Sequence, residues 1–165
     1  MTIIVKNKET LLFDEFKFKC SVGKKGFSKN KKEGDLKTPA GIFELGKIYY
    51  RPDRIEKPLS KLKTTTIKKN MGWCDDPKSK YYNKLIKIKK NFKIKHEKLY
   101  RKDNKYDIFI LIKHNYKKVI KNQGSAIFLH LTKNYLPTKG CVALSKKDFL
   151  ILIKLINKKT KIRIT

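Results

Sequence analysis

Short stretches of alternating apolar and polar residues dominate the chain. Phe16, Phe18, Cys20 and Val22 alternate with Lys17, Lys19 and Ser21, the period-2 pattern of a strand with one face in a core and the other in water. That register puts Cys20 among the core residues. Residues 2–6 are a β-branched run, and Ile42-Phe43-Glu44-Leu45 reads as another strand. Residues 108–112 and 126–131 are short, apolar and rich in Ile and Phe, as strands buried on both faces are. A last strand is expected at Ile162-Arg163-Ile164. One segment has helical spacing: after Ser145 and Asp148, which fit a capping-box-like start, Phe149, Leu150, Ile153, Leu155 and Ile156 recur until Asn157-Lys158.

Between these elements, residues 23–41 read as a long Gly-, Lys- and Asn-rich loop that leaves through the turn Thr38-Pro39-Ala40-Gly41. Pro52, Pro58 and Pro77 prevent a long regular element around residues 49–76, and residues 84–95 suit a strand, a helix or an exposed excursion. The pattern predicts a mainly β domain with a C-terminal helix. With 165 residues, no internal repeat and no linker, it predicts a single domain over residues 1–165, expected to be a monomer.

Charge changes the picture less than its size suggests. Lys and Arg number 43 against 14 acidic residues, a net +29. The Lys residues are spread from Lys6 to Lys161 among Ile and Asn, which reads as compositional bias with solubility as its result. The other reading is nonspecific contact of a basic surface with polyanions, whether nucleic acid, anionic lipid or acidic wall polymer. Specific nucleic-acid recognition is not expected, because Gly-aromatic RNA-reading motifs and zinc-finger spacing are missing. The longest apolar runs, residues 108–112 and 149–153, fall far short of the ~18 residues of a membrane span. The first residues lack the apolar region of a signal peptide, so no export segment is expected in this chain. Cys20, Cys74 and Cys141 are odd in number and widely spaced, and His96, His114 and His130 do not cluster with them. Neither a disulfide framework nor a metal site is expected, and no cofactor.

The C-terminal third carries candidate chemistry. The apolar run 126–129 delivers His130, expected at a strand end where its imidazole emerges from the sheet, and Gly140-Cys141 follows eleven residues later. A thiol of ordinary pKa is only a few per cent ionised at neutral pH, so a cysteine nucleophile needs a base or a positive field. His130 offers the first; Lys139, Lys146 and Lys147 are expected to supply the second. Gly140 would let a substrate carbonyl approach backbone N–H groups able to stabilise an oxyanion. Taken alone, a His and a Cys at this spacing also fit a buried thiol at a turn beside a structural histidine.

Ser125-Ala126-Ile127-Phe128-Leu129-His130, followed by Pro137-Thr138-Lys139-Gly140-Cys141-Val142-Ala143-Leu144-Ser145, resembles the active-site signature of the YkuD-like L,D-transpeptidase family. Lys37-Thr38-Pro39-Ala40-Gly41-Ile42-Phe43 looks like that family's T-P-x-G-x-F segment. The likeness continues through Tyr50-Arg51-Pro52-Asp53-Arg54, Gly72-Trp73-Cys74-Asp75-Asp76-Pro77, His96-Glu97-Lys98-Leu99-Tyr100-Arg101 and Tyr106-Asp107. The resemblance implies a β-sandwich or distorted barrel with the C-terminal helix packed on it. It implies Cys141 as acyl-accepting nucleophile, His130 as general base, peptidoglycan stem peptides as substrate, a role in building the bacterial cell wall, and a periplasmic or cell-envelope location.

Two departures stand out: Leu131 follows the His where Gly is common, and Ala143 stands where Arg is frequent. The substrate carboxylate must then find its cation elsewhere, and Arg51, Arg54 and Arg101 are the candidates, each otherwise a solvated charge. Thr138 and Lys139 flank the nucleophile and are expected to contact substrate. Trp73 and Asp75 either line the cleft or belong to core and turn. His96 is the rival base, a substrate-side residue or a structural one. The competing functions are L,D-carboxypeptidase activity on the same fold, a basic binding module in which Cys141 is inert, and a wall-binding protein with a decayed site.

Overall fold

The computed structural model describes every residue, Met1–Thr165. In chain order the elements are β1 (Thr2–Val5), β2 (Thr10–Phe13), β3 (Phe16–Ser21), β4 (Phe27–Ser28), β5 (Thr38–Pro39), β6 (Gly41–Tyr50), β7 (Thr64–Thr66) and β8 (Met71–Cys74). Then come β9 (Leu85–Lys87), β10 (His96–Lys98), β11 (Ile108–Ile112), β12 (Phe128–Leu131), β13 (Val142–Leu144), α1 (Lys146–Leu155) and β14 (Lys161–Ile164). Eight strands close a barrel in the order β11, β12, β13, β3, β2, β1, β14, β6, with β6 pairing back onto β11 and β7 added beside β6. Strands β10, β8 and β9 form a separate small sheet. The mainly β fold with one C-terminal helix is as expected, and the barrel is closed.

Strand alternation builds two cores from one set of strands. In β11, Ile108, Ile110 and Ile112 fill the barrel, whereas Phe109 and Leu111 point to a second core outside it. In β12, Leu129 and Leu131 face the barrel and Phe128 faces the second core. Trp73 from β8 and Leu99 close that second core from the side of the small sheet. The candidate nucleophile Cys141 lies at its edge.

Ser145 caps α1 by accepting the Asp148 N–H at 3.1 Å, and the helix buries Phe149, Leu152 and Ile153. It ends at Leu155, earlier than the apolar spacing suggested, because Ile156 turns extended (ψ 158°) and buries itself in the barrel core. Strand β12 starts at Phe128 rather than at residue 126, since Ala126 takes a left-handed conformation (φ 52°) that breaks the ladder. The ambiguous stretch 84–95 contributes β9, and the long loop 23–41 contains the short β4–β5 pair.

Candidate active site

Strands β12 and β13 run parallel, with Leu129 opposite Val142 and His130 opposite Ala143. Val142 and Leu144 enter the barrel core, so Cys141 and Ala143 share the opposite face with Phe128 and His130. The eleven-residue spacing of His130 and Cys141 therefore places both on one side of the paired strands. Along that face His130 stands about two residues beyond Cys141, roughly 6.6 Å at 3.3 Å per residue. Both open to one cleft of about 330 Å³. His130 is the third residue of its strand and is buried (6% exposed), rather than emerging at the strand's end.

The turn that presents Cys141 is heavily braced. Thr138 Oγ1 donates to the Cys141 carbonyl at 2.6 Å and accepts the Gly140 N–H at 3.1 Å. Its backbone pairs with Val22 and Lys24, tying the turn to the end of β3. Gly140 has φ 149°, and a Cβ there would lie 2.9 Å from the Lys37 carbonyl oxygen. The Lys37 backbone is thus packed closely against Gly140. The sulfur accepts the Phe128 N–H at 3.3 Å and donates to the Ala126 carbonyl at 3.2 Å, which the left-handed Ala126 turns toward it.

Burial, reinforced by the Glu97 carboxylate, pushes the Cys141 thiol up to about 12, against the opposing influence of the Phe128 N–H, Lys31 and Tyr106. The cation that favours the thiolate is Lys31, not the expected Lys139, Lys146 and Lys147, and desolvation outweighs it. Burial also pushes His130 down to about 4, against the Leu131 hydrogen bond and with help from Lys105 and Arg101. His130 Nδ1 lies 2.8 Å from the Leu131 carbonyl. A neutral imidazole that donates through Nδ1 leaves Nε2 as a free base. The resting pair is a neutral thiol and a neutral imidazole.

The chain matches the family model described as YkuD, L,D-transpeptidase catalytic domain, over residues 1–164. It belongs to the YkuD L,D-transpeptidase family. No curated protein and no solved structure matches it. The family is one of peptidoglycan-related transferases that generally work outside the cytoplasm. No helix of this YkuD domain is long and apolar enough to cross a membrane.

The structure sorts the residues singled out in the sequence. Asp75, Arg101, Thr138, Lys139 and Gly140 line the YkuD cleft with Cys141 and His130; Arg51, Arg54, Trp73 and His96 do not. Arg51 is buried, grips Asp53 in a two-pronged pair at 2.8 and 2.7 Å, and stacks over Tyr100. Arg54 binds Asp107 and the carbonyls of Lys102 and Asp103. Both guanidinium groups are committed to joining the β6 end to the segment before β11. Trp73 is core, its Nε1–H donated to Asn83 at 2.8 Å. His96 is carried out of the cleft by strand alternation, with Nδ1 2.6 Å from the Ile94 carbonyl, and the same alternation carries its neighbour Glu97 in.

Several cleft residues had no distinguishing signal in the sequence. Lys31 is one Lys among many, yet it is buried (7% exposed), pairs with Asp35 and reaches the Gly140 turn. Glu33 accepts hydrogen bonds from Tyr82 and Ser125, joining the long loop to the approach to β12. Tyr106, from one of the segments that carried the resemblance, donates to Glu97 and sets its ring against that of His130, centroids 5.3 Å apart.

Asn83 organises this YkuD site from behind. Its Oδ1 accepts the Trp73 Nε1–H and the Ala126 N–H at 2.8 and 3.1 Å, while Nδ2 donates to the His114 and Asn115 carbonyls. It is buried and left-handed (φ 56°), a conformation Asn tolerates better than most residues. Asn83→Ala strands two buried donors, and urea unfolding is expected to show a loss of about 2–5 kcal/mol. A change under 1 kcal/mol would mean that water replaces the amide.

Proposed function

We propose that the protein catalyses acyl transfer on peptidoglycan stem peptides through a thioester on Cys141, with His130 as the base. The observation that carries this reading is the placement of Cys141 and His130 on one face of paired parallel strands, open to one cleft, in a chain of this family. Cys141 Sγ attacks the carbonyl of the L-centre of a dibasic stem residue. The thiol proton passes to Nε2 of His130 and from there to the departing D-amino acid nitrogen. The Cys141 N–H makes no hydrogen bond within the protein and is the nearest donor for the developing oxyanion. Because the resting pair is neutral, proton transfer accompanies attack rather than preceding it.

An amine of a second stem then takes the acyl group as a cross-link, whereas water yields an L,D-carboxypeptidase product. Arg101 is the one Arg of the three candidates that lines the cleft; Asp103 holds its Nε and Nη2, and with Lys139 at the mouth it is the cation for the substrate carboxylate. Asp75, with Oδ1 buried and unpaired, is the contact for a cationic or hydrogen-bond-donating group of the substrate. Such a substrate places the protein's work in the periplasm or cell envelope.

Incubation with tetrapeptide muropeptides, followed by mass analysis against Cys141→Ala, tests this reading. The wild type is expected to give cross-linked product or free tripeptide, and the variant neither. Matching product profiles from the two proteins would sink the proposal.

A further inference from the structure

Beyond His130 the cleft is lined by hydrogen-bond donors that no group of the protein engages. Phe128, His130 and Thr132 fall on one face by strand alternation, and the Thr132 N–H donates to the Leu144 carbonyl, carrying the β12–β13 ladder one residue further. The Phe128 N–H on the Cys141 sulfur sets the nucleophile level with the first of the three. The floor of the cleft therefore runs Cys141, His130, Thr132, with about 6.6 Å between the last two. Thr132 Oγ1 is buried without a hydrogen-bond partner. Lys105 and Lys133 line the cleft at the same end, where the ion pairs that occupy Lys31 and Arg101 leave both without a carboxylate.

The Lys105 backbone is fixed against this end of the floor. Its carbonyl accepts the Leu131 N–H at 3.0 Å and its N–H is donated to Asp103 at 3.2 Å. The carboxylates that line the cleft, Glu33, Asp75 and Glu97, come from the long loop and the small sheet, so none arises from the Lys105 end. A buried hydroxyl without a partner is costly, and an unpaired cation beside a catalytic base opposes its protonation. Both costs fall away when an anion binds there.

We infer that Lys105, Thr132 and Lys133 form the acceptor end of the cleft and hold a carboxylate borne on the carbon next to the incoming amine. This rests on the reading of Cys141 as nucleophile and His130 as base. The acceptor nitrogen forms its bond to the acyl carbon as the C–S bond breaks, and its proton goes to His130 Nε2 and from there to the Cys141 sulfur. With the amine at Nε2, a carboxylate on the adjacent carbon falls one step along the floor, at Thr132 and the two ammonium groups. Ala143, opposite His130, leaves that step open. The bound carboxylate also screens Lys105, which strengthens His130 as a base in the step that uses the acceptor. Water and simple amines lack this contact, so the subsite selects an amino acid centre as acceptor over hydrolysis.

The test compares two isotope-labelled acceptors, D-alanine and D-alaninamide, at equal concentrations of free amine with a tetrapeptide muropeptide. Mass analysis reads labelled product against tripeptide. The wild type is expected to favour D-alanine by roughly tenfold or more, the scale of one charge-assisted hydrogen bond. Lys105→Gln and Thr132→Val should each reduce that preference, acting on D-alanine and changing D-alaninamide by less than about threefold, and Lys105→Glu should reverse it. A residue with only a structural role would move both acceptors together. Equal use of the two acceptors by the wild type, a parallel fall for both in the variants, or an unchanged preference in Lys105→Gln and Thr132→Val overturns the subsite while the Cys141 reading stands. Release of no terminal D-amino acid by the wild type would overturn that reading and the subsite with it.

Discussion

His130→Gln is expected to lower kcat/KM on a tetrapeptide muropeptide by roughly 10²–10⁴, the range over which a positioned general base acts. His130 sits opposite Ala143 on the strand that flanks the nucleophile, and its Nδ1 is occupied by the Leu131 carbonyl, so Nε2 is the one ring nitrogen left to take a proton. Gln retains a donor for that carbonyl but supplies no base. The same substitution should change the acid stability of the fold. A His that ordinarily titrates at 6.5 is pushed down to about 4 here, chiefly by burial. Between those values the unfolded chain binds a proton that the folded protein refuses. Stability is therefore fully present above about pH 6.5 and is lost as pH falls toward 4. The linkage amounts to about 3 kcal/mol. Urea unfolding across that window should show the slope in the wild type and a weaker one in His130→Gln. Full turnover by the folded variant would remove His130 from the mechanism.

Gly140→Ala should cost both stability and activity. The added methyl would meet the Lys37 carbonyl oxygen at 2.9 Å in a backbone conformation of φ 149°. Side chains rarely adopt that region, and holding one there costs about 1–3 kcal/mol. The turn can relieve the clash only by shifting Cys141, whose sulfur is held between the Phe128 N–H and the Ala126 carbonyl. Displacing a nucleophile by about 1 Å is enough to lose roughly 10²-fold in rate. Turnover within threefold of wild type would show that the Thr138 brace absorbs the change. The role first suggested for Gly140 was access for a substrate carbonyl; the carbonyl that actually occupies the space is the protein's own.

How much of the site could be read in advance depended on whether a residue's role is local. The Cys141 and His130 pair, the Gly140 turn and the Ser145 cap follow from short-range pattern, and strand alternation explains the shared face once the register of β12 and β13 is known. Arg51 and Arg54 were indistinguishable from Arg101 as candidate cations. Position in the fold decides the matter rather than pairing, since Arg101 grips Asp103 much as Arg51 grips Asp53, but of the three it is Arg101 that lines the cleft. His96 drew attention as a possible base, but a one-residue step along β10 gives the cleft to Glu97 instead. Lys31 and Glu33 carried no signal, because in a chain with 43 cations and a lysine-rich loop nothing local distinguishes the buried Lys31 and the half-buried Glu33 from their solvated neighbours.

By itself, the sequence determined a mainly β chain with one C-terminal helix, the family and the identity of the candidate nucleophile and base, since these rest on periodicity and on motifs a few residues long. Tertiary structure alone decided that the barrel closes through β6 and β11 and that a second core forms outside it. It also decided that the thiol is buried between the Phe128 N–H and the Ala126 carbonyl, which keeps it protonated at rest. The physical reason is that charge state and hydrogen-bond partners depend on burial and on distances between segments far apart in the chain, and neither is written in local order.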